Sequence, residues 1–202
     1  MQDSTKRLEE AKKRGRPRAF DPDTALKAAA ERFRAGGYSG TSLDELAAAT
    51  RLNRPSLYSA FGDKKALYLA ALDRTHARAE RGFVRLGEAD LPLRAMLERM
   101  FGAVIEGFLT GDDGPAGCLF ISTAATESVI DPDVRSRIAE FLTMEDAQVE
   151  RLLRQAGSNA AEVQARVVTA MIHSLSVRAR AGAARTELDR AAKDCVDLIA
   201  PG

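Results

Sequence analysis

The sequence predicts an all-α chain of about nine helices in two parts, a small N-terminal unit holding a helix-turn-helix and a larger C-terminal helical domain. Three observations carry this. Apolar side chains recur at helical spacing in segment after segment, and no stretch alternates as a strand would. Helix starts are punctuated by a capping side chain followed by proline or by a capping-box carboxylate. Aromatic residues are only 5% of the 202 residues and Trp is absent, a composition that leans away from sheets.

In order along the chain, residues 1–19 are polar and charged, with Lys12, Lys13, Arg14, Arg16 and Arg18 around Gly15 and Pro17, and read as a disordered basic arm. Asp21-Pro22 opens the first helix, whose apolar face is Ala25, Leu26, Ala29, Ala30 and Phe33, and Gly36-Gly37 stops it. Ser42-Leu43-Asp44-Glu45 is a capping box for a short second helix. Asn53 caps a third, with Pro55 in its first turn and Leu57, Tyr58 and Phe61 beyond. Gly62-Asp63 ends that helix and starts a fourth, expected over residues 64–85. Longer segments follow: a helix from Pro92 to Leu109, a Gly111–Pro115 loop, and a short helix from Cys118 to Val129. Asp131-Pro132 starts one that runs to about Ala156. Asn159 is expected to cap another to Gly182, and Thr186 to Asp189 a last one to Ile199. The expected division is an arm at 1–19, a helix-turn-helix domain at 20–65, and a second domain at 66–202 joined through the fourth helix.

Composition narrows the function. The chain is 45% apolar and 29% charged, ordinary for a globular protein. No apolar run reaches the roughly 20 residues that span a bilayer, and the charged N-terminus has no apolar stretch after it, so a cytoplasmic protein without membrane partners is expected. Two isolated cysteines and two scattered histidines offer neither a disulfide framework nor metal-ligand spacing, so no metal or cofactor is expected. Net charge is only +1, yet Met1–Lys65 holds 14 Lys/Arg against 9 Asp/Glu, while the remainder holds 16 against 20. A basic head on a mildly acidic body points the first third at a polyanion.

Leu43 to Phe61 has the proportions of a helix-turn-helix, in which one helix crosses the phosphates and the next enters the major groove. Leu46, Ala47, Leu52, Leu57 and Phe61 would lock the pair together, leaving Arg54, Ser56, Tyr58 and Ser59 outward. Arg54 can fork onto guanine, the serines can serve bases or phosphates, and Tyr58 can reach a phosphate.

Phe20 to about Leu72 strongly resembles the DNA-binding domain of the TetR family of transcriptional regulators. The resemblance rests on Gly37-Tyr38, Thr41-Ser42, Leu43 and Leu46-Ala47, then on Arg54-Pro55-Ser56-Leu57-Tyr58, Phe61 and Asp63-Lys64. Ala60 departs from it, standing where many members carry histidine. The resemblance implies a homodimer on a palindromic operator of double-stranded DNA, usually a repressor, released when a small-molecule effector enters the C-terminal domain. Carried over residue by residue, it puts Thr41, Ser42, Tyr58 and Lys64 on phosphates and Arg54, Pro55, Ser56 and Ser59 nearest the bases. Arg14-Gly15-Arg16-Pro17-Arg18 separately resembles an AT-hook, slim enough to lay arginines in an A·T-rich minor groove, although a solvated tail would look the same.

The resemblance also implies an effector pocket, for which Phe101, Ile105, Phe108, Cys118, Phe120, Phe141, Met144, Met171 and His173 are the candidates; at helical spacing such side chains also suit a plain core. Cys118, expected at a helix start, could have a lowered thiol pKa and sense electrophiles or oxidants. The last two helices should form the dimer interface through Val167, Ala170, Ser174, Leu175, Leu188, Ala192, Val196 and Ile199. Three alternatives stay open at this point: an architectural binder of A·T-rich DNA, activation in place of repression, and a Cys118/His173 thiol hydrolase, which lacks any identifiable third group or oxyanion motif.

Overall fold

The computed structural model describes residues 20–111, 114–124 and 126–201. The arm, with Arg14, Arg16 and Arg18, lies outside the described residues. Ten helices are present among the described residues and no strand.

The first four helices follow their local signals. In α1 (Pro22–Gly36) the Asp21 carboxylate accepts the N–H groups of Asp23 and Thr24, each at 3.2 Å, and Pro22 occupies the first turn. Ala25, Ala29, Ala30 and Phe33 are its buried face, and Gly37 closes it at φ +73°. α2 (Leu43–Thr50) carries the full capping box, with the Glu45 N–H on Ser42 Oγ at 3.2 Å and the Ser42 N–H on Glu45 Oε2 at 2.7 Å. Arg51, left-handed at φ +56°, turns the chain, and Asn53 Oδ1 caps α3 (Arg54–Phe61) by accepting the Ser56 N–H at 2.8 Å. α4 (Lys64–Glu88) starts on Asp63, whose carboxylate accepts the Ala66 N–H at 2.7 Å.

Beyond it come α5 (Leu93–Leu109), α6 (Leu119–Ala124), α7 (Glu127–Ile130), α8 (Pro132–Gln155), α9 (Ala161–Arg180) and α10 (Arg185–Ile199). Three expectations need correction. The segment expected as one helix from Cys118 to Val129 is two, α6 and α7. α6 leads into a tight turn in which the Thr126 N–H bonds the Thr123 carbonyl at 3.1 Å, and the β-branched residues there favour helix weakly. Ser158 Oγ, not Asn159, accepts the Ala160 N–H before α9, at 3.1 Å. α10 begins at Arg185, and Glu187 reaches back to the Ala184 N–H at 3.2 Å, so Thr186 is not its cap.

Two hydrophobic clusters fill the interior. One lies among α5, α8, α9 and α10 around Leu97, Phe101, Ile105, Val149, Val168, Leu175 and Leu188. The other joins Phe33, Leu46, Leu57, Leu67, Tyr68 and Leu72 of the first four helices to Leu119, Phe120, Val134, Ile138 and Phe141 of α6 and α8. This second cluster runs straight through the division expected near residue 65. The two are held in register by the stretch before α6. Gly117, at φ +67°, lies so close to α9 that a Cβ would meet the Ser176 carbonyl oxygen at 2.7 Å, and the Cys118 N–H donates to Ser176 Oγ at 2.7 Å. Gly117→Ala combines a left-handed backbone with that clash. It should destabilise the fold by about 1–3 kcal/mol, read as a lowered midpoint of urea unfolding.

Candidate nucleic-acid interface and its coupling to the C-terminal helices

α3 is eight residues long and needs external support. It is anchored by Leu57, 2% exposed, against Leu46 at 0%, with Leu52 and Phe61 packed at the edge of the same cluster. Anchoring that face leaves Arg54, Pro55, Tyr58 and Ser59 exposed and Ser56 half-buried. Ser42 is exposed but already committed to the α2 cap. Lys64 lies with its ammonium 4.4 Å from the centroid of the Tyr38 ring, which pre-orients it at the start of α4.

Thr41 is a correction. Its side chain is buried at 1% exposure, and its hydroxyl donates to the Gly37 carbonyl at 2.7 Å, closing the α1–α2 turn where the resemblance puts a phosphate contact. The charge of this unit is also less open than its sequence suggests. Residues 20–65 hold 7 Lys/Arg against 6 Asp/Glu, whereas residues 1–19 hold 7 against 3. Arg32 is paired with Glu45 at 2.6 Å, Arg34 with Glu31 at 2.6 Å and Arg54 with Asp44 at 2.6 Å. Lys65 bridges Asp131 and Asp133 at 2.7 and 2.8 Å, and these two carboxylates raise its pKa.

The end of α1 is tied to the C-terminal helices by two arginines that sequence reasoning missed. Arg34 donates to the carbonyls of Gly107 at 2.8 Å and Gly117 at 3.3 Å, and also to that of Thr110. Arg180, in the last turn of α9, donates to the carbonyls of Arg34 at 2.7 Å, Ala35 at 3.1 Å and Ala116 at 3.2 Å. Tyr68 on α4 adds a buried bond from its hydroxyl to Thr123 Oγ1 at 2.6 Å, and Ser39 Oγ donates to Glu127 at 2.9 Å. Nothing local marks these residues, because their acceptors lie far away in sequence.

The expected effector set divides between the two clusters. Phe101, Ile105 and Phe108 are buried in one; Phe120 and Phe141 are stacked in the other with ring centroids 4.0 Å apart. These five are core side chains, each buried within its own cluster. A cavity of about 190 Å³ lies elsewhere, beside Ala28, Glu31, Ala35 and Ala116. Met144 and Met171 are partly buried. His173 Nε2 lies 2.6 Å from Glu145 Oε2, and Glu145 is only 5% exposed. Glu145 was not anticipated, although a carboxylate in the α8 stripe of Ile138, Phe141, Val149 and Leu152 was the available signal. Cys118 is the reverse of an activated thiol. Burial, and then the nearby Glu145 charge, push it up to about 11, outweighing the amide N–H groups of Ile121 and Phe120.

The expected dimer residues also divide. Leu175, Leu188, Ala192, Val196 and Ile199 are buried in the protomer's own core, a correction whose cause is packing: these stripes of α9 and α10 face α5 and each other. Val167 and Ala170 are exposed and Ser174 half-buried, on a different α9 stripe that also carries Val163 at 58% and Val177 at 58% exposure. Leu198 of α10 is 75% exposed.

Residues 25–71 match the family model described as bacterial regulatory proteins, tetR family. Over 186 residues, 88% of each protein, the chain is 33% identical to the HTH-type transcriptional repressor ComR of Escherichia coli K12. The chain belongs to the TetR family. This TetR-family regulator is also 24% identical to the repressor BdcR of Escherichia coli K12 over 83% of each protein. Among solved structures it is similar to a cysteine mutant of the TetR family regulator CifR bound to 26-base-pair operator DNA. That likeness has a TM-score of 0.79 and 28% identity over 92% of this chain and 100% of the other. Reduced NemR of E. coli shares the fold at a TM-score of 0.76 and 20% identity, over 90% of this chain and 97% of its own. TetR-family regulators are DNA-binding proteins and not enzymes, and among the described residues no helix is long and apolar enough to cross a membrane.

The α2 cap gives this interface a pH signature. Bonds from the Ser42 N–H and hydroxyl, and then from Arg32, hold the Glu45 carboxyl at about 2, below its ordinary 4.5. A folded-state pKa below the unfolded value gives stability that is complete above about 4.5 and is lost as pH falls toward 2. Glu45→Gln should therefore flatten that part of a melting-temperature profile against pH and leave its slope above pH 5 unchanged.

Proposed function

We propose that this TetR-family protein is a repressor that binds a palindromic operator as a homodimer and is released by a small-molecule effector held in the C-terminal helices. The observation that carries the DNA-binding part is α3 itself, a short helix locked by Leu46 and Leu57 with Arg54, Pro55, Tyr58 and Ser59 left open. In this reading the N-terminal end of α3 enters the major groove, Arg54, Pro55, Ser56 and Ser59 lie nearest the bases, and Ser42, Tyr58 and Lys64 meet phosphates. Repression is supported by the names of ComR and BdcR, and an operator as ligand by the CifR complex.

Dimerisation is supported by the exposed apolar stripe Val163, Val167, Ala170 and Val177 on α9, with Leu198 on α10, which a monomer would leave in water. Two protomers so paired would set their α3 helices about 34–36 Å apart, one turn of B-DNA. Effector control is supported by the contact between buried Glu145 and half-buried His173, with Met144 and Met171 partly buried on the same two helices, and by the Arg34 and Arg180 ties that join the C-terminal helices to α1. An effector that favours one arrangement of these helices would move α1 and the helix-turn-helix with it. The raised Cys118 thiol stands against sensing by that cysteine.

Light scattering should report a dimer, and Val167→Glu should yield folded monomers that bind the operator at least about tenfold more weakly. A monomeric parent protein that still reads a palindrome would overturn the dimer. A second reading, the architectural A·T binder, draws on the concentration of positive charge in residues 1–19. Removing those residues should reduce the salt slope of binding by roughly two to five and leave sequence preference intact. If preference disappears with the arm, the architectural reading replaces the operator-reading one.

A further inference from the structure

We propose that Asp44 is a positioning residue for sequence readout, gripping one edge of the Arg54 guanidinium so that its other edge is aimed at a guanine. The inference rests on the reading of α3 as the groove-entering helix and deepens it. Arg54 is the first residue of α3, at the end that would enter the groove, and Asp44 lies in the first turn of α2. The Arg54 Nε–H donates to Asp44 Oδ1 at 2.9 Å and Nη2 donates to Oδ2 at 2.6 Å.

A guanidinium has two forked edges, and this contact consumes the one formed by Nε and Nη2. Nη1 and the second Nη2 hydrogen form the other edge, and Nη1 has no hydrogen bond among the described residues. That remaining pair of parallel donors is the geometry that matches O6 and N7 of guanine in the major groove. Arginine pays heavily in side-chain freedom when a base contact must fix it, and a carboxylate that holds the fork beforehand removes part of that cost.

Exposure argues against a structural duty. The two side chains are 53% and 75% exposed, so water screens the pair and it adds little to the fold. By contrast, Arg32–Glu45, the other pair joining an arginine to the start of α2, is 28% and 38% exposed and belongs to the helix cap. A lone carboxylate on a face meant for phosphates would repel them. Held against Arg54, its charge is matched and it becomes a strut.

The test is selection of preferred duplexes from a randomised pool by the full-length protein. The dissociation constants for the selected site, for single base-pair variants of it and for an unrelated duplex are then measured at fixed salt. Arg54→Ala should abolish a guanine preference at one base pair of each half-site. Asp44→Ala and the shape-conserving Asp44→Asn should each lose about five- to twentyfold of the preference at that same base pair. Their affinity for the unrelated duplex should stay level or rise, and adding Asp44→Ala to Arg54→Ala should change the preference no further. Should either variant melt earlier than the parent, the other decides. Unchanged preference with affinity raised equally for every duplex would mean that Asp44 acts only as a repelling charge, and the strut is overturned. If Arg54→Ala itself leaves every base preference intact, the assignment of Arg54 falls first and this inference with it, a result distinct from failure of Asp44 alone.

Discussion

The cluster that joins Phe33, Leu46, Leu57 and Tyr68 to Phe120 and Phe141 is the constraint on which the other features rest. Helices of eight residues do not persist alone in water, and α2 and α3 are each that short. They are helical and fixed in angle because their one apolar stripe is buried against α1 and α4, which are themselves seated on α6 and α8. The outward aim of Arg54, Tyr58 and Ser59 follows from that burial. The surface proposed to face DNA is thus set from behind, by residues buried in the core.

The same continuity makes the molecule a candidate for transmission between its ends. Apolar packing alone would let one layer slide on the next, since it has no preferred direction. Directional bonds remove that freedom. Arg34 and Arg180 grip carbonyls across the junction, Tyr68 is bonded to Thr123 inside it, and Lys65 is clamped by Asp131 and Asp133 at the start of α8. The bonds of Arg34, Arg180 and Tyr68 converge on Gly107, Thr110, Ala116, Gly117 and Thr123, and the same segment touches α9 where the Cys118 N–H meets Ser176. A change in how α6 sits on α9 would meet a rigid connection to α1.

Electrostatics divides the labour in an unexpected way. The folded N-terminal unit is nearly neutral and three of its four arginines, Arg32, Arg34 and Arg54, are paired, so its attraction to a polyanion is modest at long range. Residues 1–19 carry most of the positive excess. Paired arginines are better suited to discrimination than to capture, because each is already oriented and partly neutralised.

Much of this was legible in the chain because the signals are local. Asp21-Pro22, the Ser42/Glu45 box, Asn53 and Asp131-Pro132 each satisfy orphan amides within three residues, so the sequence by itself determined where most helices begin and that α2 and α3 form a tight pair. What it could not determine was which of two stripes on an amphipathic helix turns inward. Leu175, Leu188, Val196 and Ile199 were the more apolar choice for a dimer, and for that reason the protomer consumes them, leaving Val163, Val167 and Val177 outside. The burial of Thr41, the raised Cys118 thiol, the Glu145–His173 contact and the Arg34 and Arg180 ties were decided only by tertiary structure. Each depends on a partner brought close by the packing of helices, and such distances have no counterpart in local spacing.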